Sequence, residues 1–522
     1  MDITPPELAL IQRRTALKRL ISGTTLAGFA PHSVWAQTNL STETDTQDAW
    51  RAMSRIGYGP SPGLISALQA APDARAWALA QVDLAFAASQ SPPTLSADLA
   101  HFNAPLPELF AGVVRERQVR TQNKTVPLAD INGEANRRLD FSSPLDPAYF
   151  NRAVQLEAAA WRLGSCSRPE EENPLLARMT EFWFNHLNVF VGKGSVRPFT
   201  GHYVINVARA HALGKFEDLL LASARHPAML YYLDQVQSVA EGSPGPQGRT
   251  RGLNENYARE LIELHTLGVH GGYQQADVRA LARVLTGWTV GANEASGFRF
   301  NQRLHDTGPK TVIGQTFPAQ LFAGGEQEGI EAIRLLARHP ATAQRVCLRL
   351  ARYFVADQPP PELVARLSRT FLDTQGDLRA VMKQLLQAPE FWQPEYRLFK
   401  TPMDFACSAL TVRQALMPTS AEASTSPPDR RHLTQALGFL AGAGQPLHGW
   451  QTPDGYAFDA ATWLVPEALT RRADFALNLM RQTPELAFLA PFLSSTTRAA
   501  LARERPAQRA GLALASPDFM FK

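Results

Sequence analysis

Apolar residues recur every three to four positions along most of the chain, which is the spacing of a helix with one buried face. Polar, glycine-rich or proline-rich stretches separate these segments. The pattern therefore predicts helices at 48–56, 62–84 with a break at Pro72, 108–120, 148–163, 175–190, 203–212, 226–237, 254–267, 274–288, 326–338, 341–355, 360–373, 377–387, 401–415, 431–440 and 466–482.

Two short segments depart from the helical pattern. Residues 298–300 (Phe-Arg-Phe) and 311–313 (Thr-Val-Ile) have strand character, and the turn-forming residues 305–308 lie between them. We therefore expect an all-α fold, a large multi-helix domain that carries one small β-hairpin insertion.

One polar stretch divides the chain. Residues 417–430 are rich in Pro, Ser and Thr, which predicts a linker. The linker separates a main helical domain at 37–416 from a C-terminal helical extension at 431–522. We expect this extension to pack on the main domain.

The first 36 residues predict an export signal. Arg13 and Arg14 precede a short apolar run over 20–30, and the residues 34–36 (Val-Trp-Ala) form a small-x-small cleavage site. Paired arginines are typical of a twin-arginine signal. The apolar run is too short to span a bilayer. We expect a periplasmic or secreted protein that is exported folded, with no integral membrane segment after signal cleavage.

The net charge of +4 and the pI near 9.0 would suit a nucleic-acid partner. Residues 1–36, however, contain four basic and two acidic residues, so removing them leaves 48 basic and 46 acidic residues. No Lys/Arg run of the nucleic-acid kind remains. The balance of charge in the mature chain therefore argues against nucleic acid as a partner.

The three cysteines are Cys166, Cys347 and Cys407, and none belongs to a CxxC pair. Because the number is odd, at least one thiol is unpaired, and the sequence does not decide whether the other two cysteines form a disulfide. Cys347 and Cys407 lie in apolar helical contexts that are typical of small core residues.

The 254–267 segment places charged residues on one helical face. At about 100° per residue, Asn256, Glu260 and Glu263 share a face, while His265 lies on the apolar side. Two carboxylates three residues apart repel each other unless a cation, a shared proton or an arginine compensates. The alternative is a solvated acidic face in which Arg259 supplies the compensating charge.

This segment resembles the hallmark of a bacterial family known as domain of unknown function 1800. The resemblance begins with Asn-Glu-Asn-Tyr-Ala-Arg-Glu-Leu at 254–261 and continues over almost the whole mature chain. It includes the motifs at 55–60, 182–187, 226–234, 264–268, 271–273, 281–288, 298–300, 305–310, 339–343, 449–450 and 455–456, together with Trp463 and Arg471. The chain departs from the family pattern at Leu187, Gln235 and Gln237.

The resemblance implies export, often by the twin-arginine route, and often a neighbouring gene for an exported sulfatase-like protein. It implies no established reaction. The common motifs of metalloproteases, α/β-hydrolases, nucleotide-binding proteins and di-iron bundles are missing. The candidate site therefore has to be built from the polar residues of the family motifs.

In a cleft that brought these polar residues together, each residue would serve in catalysis, in substrate binding or as a metal ligand. The catalytic candidates are Glu260, Glu263 and His186, and the substrate-binding candidates are Trp288, Asn256 and Lys310. A divalent metal, if one is bound, would take ligands from Asp234, Glu260, Glu263, His305 and Asp306. Without a metal, one glutamate would serve as a general acid and the other as a base.

Each candidate also has a structural interpretation. His186 suits a buried, hydrogen-bonded histidine, His305-Asp306 suits a turn, and tryptophans such as Trp288 are often core residues. His226-Pro227 and His339-Pro340 predict helix starts, because proline fits the first helical position.

Two functions remain open at this stage. The first is a metal- or carboxylate-dependent enzyme that acts on a cell-envelope or extracellular polymer. The second is a non-enzymatic maturation, scaffold or binding partner of the co-encoded sulfatase-like protein. Convergent polar residues with perturbed pKa values would favour the enzyme, and an exposed apolar patch would favour the partner.

Overall fold

The computed structural model describes residues 43–95, 99, 101–122, 147–244, 252–319, 324–416, 431–481, 483 and 486–522. The predicted signal at 1–36 and the predicted linker at 417–430 lie outside the described residues. Within the described ranges, no helix is both long and apolar enough to cross a membrane.

The described residues form 23 α-helices and two small antiparallel sheets, which confirms the all-α class. The first nine helices are α1 Glu43–Ile56, α2 Pro62–Gln69, α3 Ala74–Ser89, α4 Leu106–Gln122, α5 Phe150–Ser167, α6 Pro174–His186, α7 Thr200–Tyr203, α8 Phe216–Arg225 and α9 Pro227–Tyr232. The next eight are α10 Asn256–Glu260, α11 Gln275–Val284, α12 Gly325–Ala337, α13 Pro340–Phe354, α14 Pro361–Asp373, α15 Leu378–Gln387, α16 Pro389–Trp392 and α17 Pro402–Gln414. The last six are α18 Arg431–Gly442, α19 Ala460–Trp463, α20 Pro466–Leu479, α21 Ser495–Ala502, α22 Pro506–Leu514 and α23 Pro517–Met520.

Two α-helices continue into π-helical turns. Residues Val204–Arg209 extend α7, and residues Leu261–His265 extend α10. The segment predicted as one helix at 254–267 is therefore an α-turn followed by a π-turn. Since π-turns are rare and are found frequently at functional sites, the second one marks the 256–265 segment for closer study.

Local signals place several helix starts. The Nδ1 atom of His226 accepts a hydrogen bond from the Ala228 amide at 3.1 Å, and His339 Nδ1 accepts one from Ala341 at 3.2 Å. Proline occupies the first position of both helices. Both predicted His-Pro helix starts are thus confirmed, and both histidines serve as caps.

The strand pairing differs from the prediction. Strand β1 Trp288–Val290 pairs with β2 Phe298–Phe300, and β3 Lys310–Val312 pairs with β4 Gln315–Phe317. The two predicted strands thus belong to two separate hairpins. Ile313 and Gly314 both have positive φ, 47° and 76°, which closes the second hairpin as a two-residue turn of the type that matches strand twist.

The described residues of the 431–522 block pack on the rest of the chain through a second apolar core, which they share with α5 and α17. This core includes Phe439 and Phe475 from the C-terminal block and Leu163 and Phe405 from α5 and α17. The backbone of Lys522 also pairs with that of Leu398, with N···O distances of 2.8 and 3.1 Å. The C-terminal block is therefore in position to contribute residues to sites on the main helical body.

Cys166 and Cys407 form a disulfide that joins α5 to α17, with a Cα–Cα distance of 5.6 Å. Cys407 is buried as expected, but it is bonded to a partner 241 residues away. Cys347 is a buried free thiol, in agreement with its predicted core position.

Candidate functional site

The α10 helix and its π-turn place two carboxylates at the surface. Glu260 ends α10, and Glu263 lies in the π-turn. The Gly268 amide closes this segment by donating to the Ile262 carbonyl at 3.1 Å, and Gly268 itself has φ 87°. Glycine adopts this left-handed conformation without strain, in keeping with its predicted role after the helix end.

The two carboxylates have different surroundings. Arg259 lies 3.2 Å from Glu263, and the Tyr273 hydroxyl also hydrogen-bonds Glu263. Burial and this hydrogen bond raise the pKa of Tyr273 to about 12. Within the described part of the chain, Glu260 forms no hydrogen bond or ion pair. Burial, followed by the charges of Glu263 and Asp454, raises the pKa of Glu260 above its ordinary value.

The loop at 449–456 faces these carboxylates from the C-terminal block. Trp450 donates its indole N–H to Asp454 at 2.8 Å, and the charge of Asp454 acts on Glu260. The loop is held by Asn188, whose amide donates to the carbonyls of Trp450 at 3.1 Å and of Thr452 at 2.9 Å. The site therefore combines residues from both parts of the chain.

Tyr232 joins the loop to the α9 end of the site. Its hydroxyl donates to the Gln451 carbonyl at 2.7 Å. Burial raises the pKa of Tyr232, and the charges of Glu260 and Asp454 add to this effect. Tyr232, Glu260 and Asp454 thus share one electrostatic environment.

Asp234 and Asn256 stabilise the neighbouring turn. Asp234 has a left-handed backbone with φ 57°, and its carboxylate pairs with Lys193 at 2.6 Å. The Asn256 amide donates to the Leu233 carbonyl at 3.3 Å, and the Asn254 amide donates to the Asp234 carbonyl at 3.2 Å. Asp234 is therefore next to the carboxylate site, with its charge already compensated by Lys193.

His265 is the last residue of the π-turn and His186 lies beneath it, and both are 1% exposed. The His186 Nε2 atom is 3.1 Å from the His265 carbonyl oxygen, which accepts the hydrogen bond. Burial lowers the pKa of His265 to about 3 and that of His186 well below its ordinary value, and the charges of Arg345 and Arg349 add to both shifts. The burial of His265 confirms its predicted apolar side. His186 supports the turn from below and does not reach the surface.

A separate network contains the candidates from the 305–310 segment. The His305 ring lies 2.9 Å from the Thr286 carbonyl and 3.0 Å from a Glu328 carboxylate oxygen. Lys310 pairs with the same Glu328 at 2.8 Å. The side chains of Lys310 and Glu328 are 0% and 1% exposed. In this conformation, Lys310 cannot contact a substrate at the surface.

Asp306 is also engaged in this network. It accepts two hydrogen bonds from the Arg283 guanidinium, at 2.8 and 3.0 Å, and one from the Gly308 amide at 2.9 Å. Burial alone would raise the pKa of Asp306, but the hydrogen bonds from Arg283 and Gly308 outweigh it and lower the pKa. Asp306 thus secures the loop between the two hairpins, as its alternative interpretation as a turn residue predicted.

Trp288 is a core residue. Its side chain is 0% exposed and packs edge-on against Phe298, with ring centroids 5.0 Å apart. The guanidinium of Arg225 lies over the same Phe298 ring at 4.6 Å. The burial of Trp288 therefore supports a core role and not substrate binding, because a fully buried ring cannot line a substrate groove.

The five predicted metal ligands do not come together around one point. Glu260 and Glu263 lie on the π-turn, Asp234 pairs with Lys193, and His305 and Asp306 belong to the hairpin network. Among the described residues, no group of three or more His, Cys, Asp or Glu side chains is arranged to hold a metal ion. The residues that the structure does bring together are Glu260, Glu263, Tyr232, Tyr273, Trp450 and Asp454.

Sequence reasoning missed Asp454, Tyr273 and Glu328. Tyr273 itself belongs to one of the family motifs. Asp454 directly precedes the Gly455-Tyr456 motif, and this position next to a motif could have identified it as a candidate. Glu328 lies on α12 in an otherwise ordinary helical pattern, and only the packing of α12 against the hairpins identifies it.

Comparison with known sequences gives a family match. The sequence model of a family described as protein of unknown function (DUF1800) matches residues 51–521. No curated protein and no solved structure was found to match the chain. The match includes every residue of the candidate site.

Proposed function

Since the chain belongs to the DUF1800 family, whose function is unknown, we propose from the site itself that the protein is an exported enzyme using Glu260 and Glu263 for acid–base chemistry. Its substrate would be a polymer of the cell envelope or the extracellular medium. Glu260 would act as the general acid and Glu263 as the base.

The observation that carries this proposal is the contrast between two neighbouring carboxylates. Glu260 has a raised pKa and no partner among the described residues, so it can hold a proton nearer to neutral pH. Glu263 accepts hydrogen bonds from Arg259 and Tyr273, which are suitable partners for an ionised carboxylate. Acid–base pairs in enzymes are made from two titratable groups whose environments differ in this way.

The surroundings suit an extended, polar substrate. Glu263 is 20% exposed, and the half-buried rings of Tyr273 and Trp450 flank the two carboxylates with a polar tip on each ring. Cavities of 520 and 400 Å³ lie elsewhere and contain none of the predicted site residues. A polymer lying along the open surface would reach the carboxylates without entering a deep pocket.

The residue geometry favours the carboxylate version of the enzyme over the metal version. Arg283 already satisfies Asp306, and Glu328 already engages His305. To bind a metal together with Glu260, His305 and Asp306 would have to break these contacts with buried or half-buried partners. The pair of glutamates needs no such rearrangement.

The alternative, a partner of a co-encoded sulfatase-like protein, has less support. Large apolar side chains that are exposed in the described residues are scattered, with Leu464 and Val465 the only neighbours in sequence among Leu84, Val114, Val269, Leu372, Leu464 and Val465. Docking surfaces usually present a contiguous patch.

Export belongs to the proposal as well. The twin-arginine segment at 1–36 motivates it, and the Cys166–Cys407 disulfide supports it, because disulfides persist in oxidising compartments such as the periplasm.

The test is a depolymerisation assay with purified mature protein. Peptidoglycan and neutral and acidic polysaccharides would be incubated with it, and new chain ends would be measured by mass spectrometry. Glu260→Gln and Glu263→Gln should each lower the rate by about 10²–10⁴-fold, the typical contribution of a general acid or base.

Glu241→Gln is the matched control, because Glu241 is 62% exposed and, among the described residues, its ion pair is with surface Arg279 alone. It should leave the rate unchanged. Full activity in Glu260→Gln would contradict the assigned roles. If no polymer is cleaved, stable co-purification of an exported partner would favour the alternative function.

A further inference from the structure

A cavity of 400 Å³ lies where α1 meets the 394–397 loop and the C-terminal segment. Four basic side chains line it, Arg51, Arg55, Arg397 and Lys522, against one acidic side chain, Asp518. Neither Glu260 nor Glu263 takes part. The cavity is therefore a separate feature, and its excess of positive charge requires its own explanation.

Arg55 is the central residue of this cavity. Its side chain is almost fully buried, and its terminal nitrogens donate to the carbonyls of Phe391, at 2.8 Å, and Tyr396. Its Nε–H has no acceptor among the described residues. A buried donor left unpaired costs about 1–3 kcal/mol, so an acceptor supplied by a ligand would remove a real penalty.

No acidic side chain in the described residues pairs with Arg55. Burial, and then the charge of Arg51, lowers its pKa to about 9. Arg397 has no carboxylate partner in that part of the chain either, and its guanidinium stacks on the Phe521 ring at 4.3 Å. Two guanidinium groups thus face the cavity without counter-charges.

The other charges of the lining are already satisfied. Arg51 pairs with Asp48 at 2.8 Å, and Lys522 pairs with Asp404 at 2.7 Å. Asp518 accepts hydrogen bonds from the Ser494 amide at 2.8 Å and hydroxyl at 2.9 Å. Among the basic side chains of the lining, Arg55 and Arg397 are therefore the two without an ion pair in the described residues.

Aromatic side chains form part of the wall. Trp50 and Phe492 both line the cavity, with ring centroids 5.8 Å apart, and Phe521 lies beneath Arg397. Such a wall gives an apolar surface directly beside the basic groups. Pockets of this volume, with apolar walls and a few convergent polar groups, are typical small-molecule sites.

We propose that this cavity binds a small organic oxyanion. Arg55 and Arg397 would hold its carboxylate, sulfate or phosphate group, and Trp50 and Phe492 would contact its planar or apolar part. Guanidinium groups suit this task because their planar N–H donors match the oxygens of these anions.

Calorimetric titration of the full mature chain tests the proposal. Phenyl phosphate, phenyl sulfate and benzoate each carry one of the three oxyanions on a phenyl ring. Inorganic phosphate provides an oxyanion without the ring, and phenol provides the ring without an oxyanion. At least one aromatic oxyanion should bind saturably and release with added salt. Inorganic phosphate should bind about 10-fold more weakly, and phenol should not bind measurably. The ranking of the three aromatic ligands identifies the oxyanion that the site prefers.

Two variants at the cavity mouth locate the binding. Arg397→Gln removes an exposed guanidinium, and Gln47→Glu adds a carboxylate at an exposed lining position. Each should weaken binding about 10-fold without changing the melting temperature appreciably. Arg303→Gln, an exposed arginine outside the cavity, is the control. No saturable binding of any aromatic oxyanion, or equal binding by all three variants, would overturn the proposal.

Discussion

The 305–328 hairpin network and the 256–263 carboxylate turn use similar side chains in opposite ways. In the network, Glu328 engages both His305 and Lys310, and Asp306 engages Arg283. In the turn, Glu263 has Arg259, whereas Glu260 has no partner in the described chain. The charges of the network hold two hairpins against α12, whereas the turn leaves one carboxylate without a hydrogen bond or ion pair among the described residues, and only the nearby charge of Arg259 partly offsets it.

Burial separates the two regions further. Lys310 and Glu328 are almost inaccessible, while Glu263 reaches the surface. Unpaired, partly desolvated carboxylates are unfavourable for stability, and proteins retain them where chemistry needs them. The comparison therefore separates a structural network from a candidate site among residues that the sequence had grouped together.

Breaking the network should give the largest effect. Glu328→Gln leaves Lys310 buried without its counter-charge, which typically costs about 3–5 kcal/mol for a buried ion pair. The free energy of unfolding, measured by urea denaturation at pH 7, should fall by that amount. Glu241→Gln, which breaks the exposed pair with Arg279, should change it by less than about 1 kcal/mol. Equal losses in the two variants would mean that the network is not structural.

A smaller effect is expected at the half-buried end of the network. Asp306→Asn should lower the free energy of unfolding by about 1–2 kcal/mol at pH 7, because it removes a charge-assisted pair with Arg283. The pKa of Asp306 is lowered in the folded protein, so its contribution is present above the unfolded value of about 3.9. That contribution is lost as the pH falls through the folded pKa.

Urea denaturation of wild type and Asp306→Asn between pH 7 and pH 3 checks this sign. The difference between the two proteins should shrink toward the acid end of the series. A difference that stayed constant with pH would show that packing, and not the carboxylate charge, accounts for the loss.

The smallest effect on stability, with the opposite sign, is expected at the turn. The pKa of Glu260 is raised in the folded protein, so its ionisation costs stability as the pH rises from the unfolded value of about 4.3 through the folded pKa. Glu260→Gln should therefore be as stable as wild type or more stable at pH 7, by up to about 1 kcal/mol for a solvent-screened group.

This gain should vanish below about pH 4, where the wild-type carboxyl is protonated in both states. The same denaturation series measures it. A loss of stability in Glu260→Gln at pH 7 would indicate an unrecognised structural partner and would weaken the contrast between the two regions.

Features that depend on nearby residues could be predicted well. The apolar period identified most of the helices, the His-Pro pairs marked helix starts, and the helical phase placed His265 in the core. Strand pairing was harder, because the predicted 274–288 helix ended on Trp288, the first residue of β1, and residues 289–290 were assigned to no element. Strand β1 was therefore missed, and its partner β2 was paired with the wrong segment.

The candidate site could be predicted only in part. Glu260 and Glu263 were found because they share one short segment. Asp454 was missed because its role depends on a contact across the fold, and Tyr273 was missed because its hydrogen bond to Glu263 depends on how the chain turns back after the π-turn. Trp288 and Lys310 were assigned to substrate binding because their types suit it, and nothing local reveals that both are buried.

By itself, the sequence determined the family, the helical class and the local caps, because these depend on motifs and on residue spacing within one or two turns. Only the tertiary structure decided which charges neutralise one another and which remain free. Lys310 meets Glu328, Cys166 meets Cys407 and Asp454 faces Glu260 across separations that no periodic pattern encodes. The physical reason is that the pKa and accessibility of a side chain depend on the charges and burial around it, and packing between distant segments sets both.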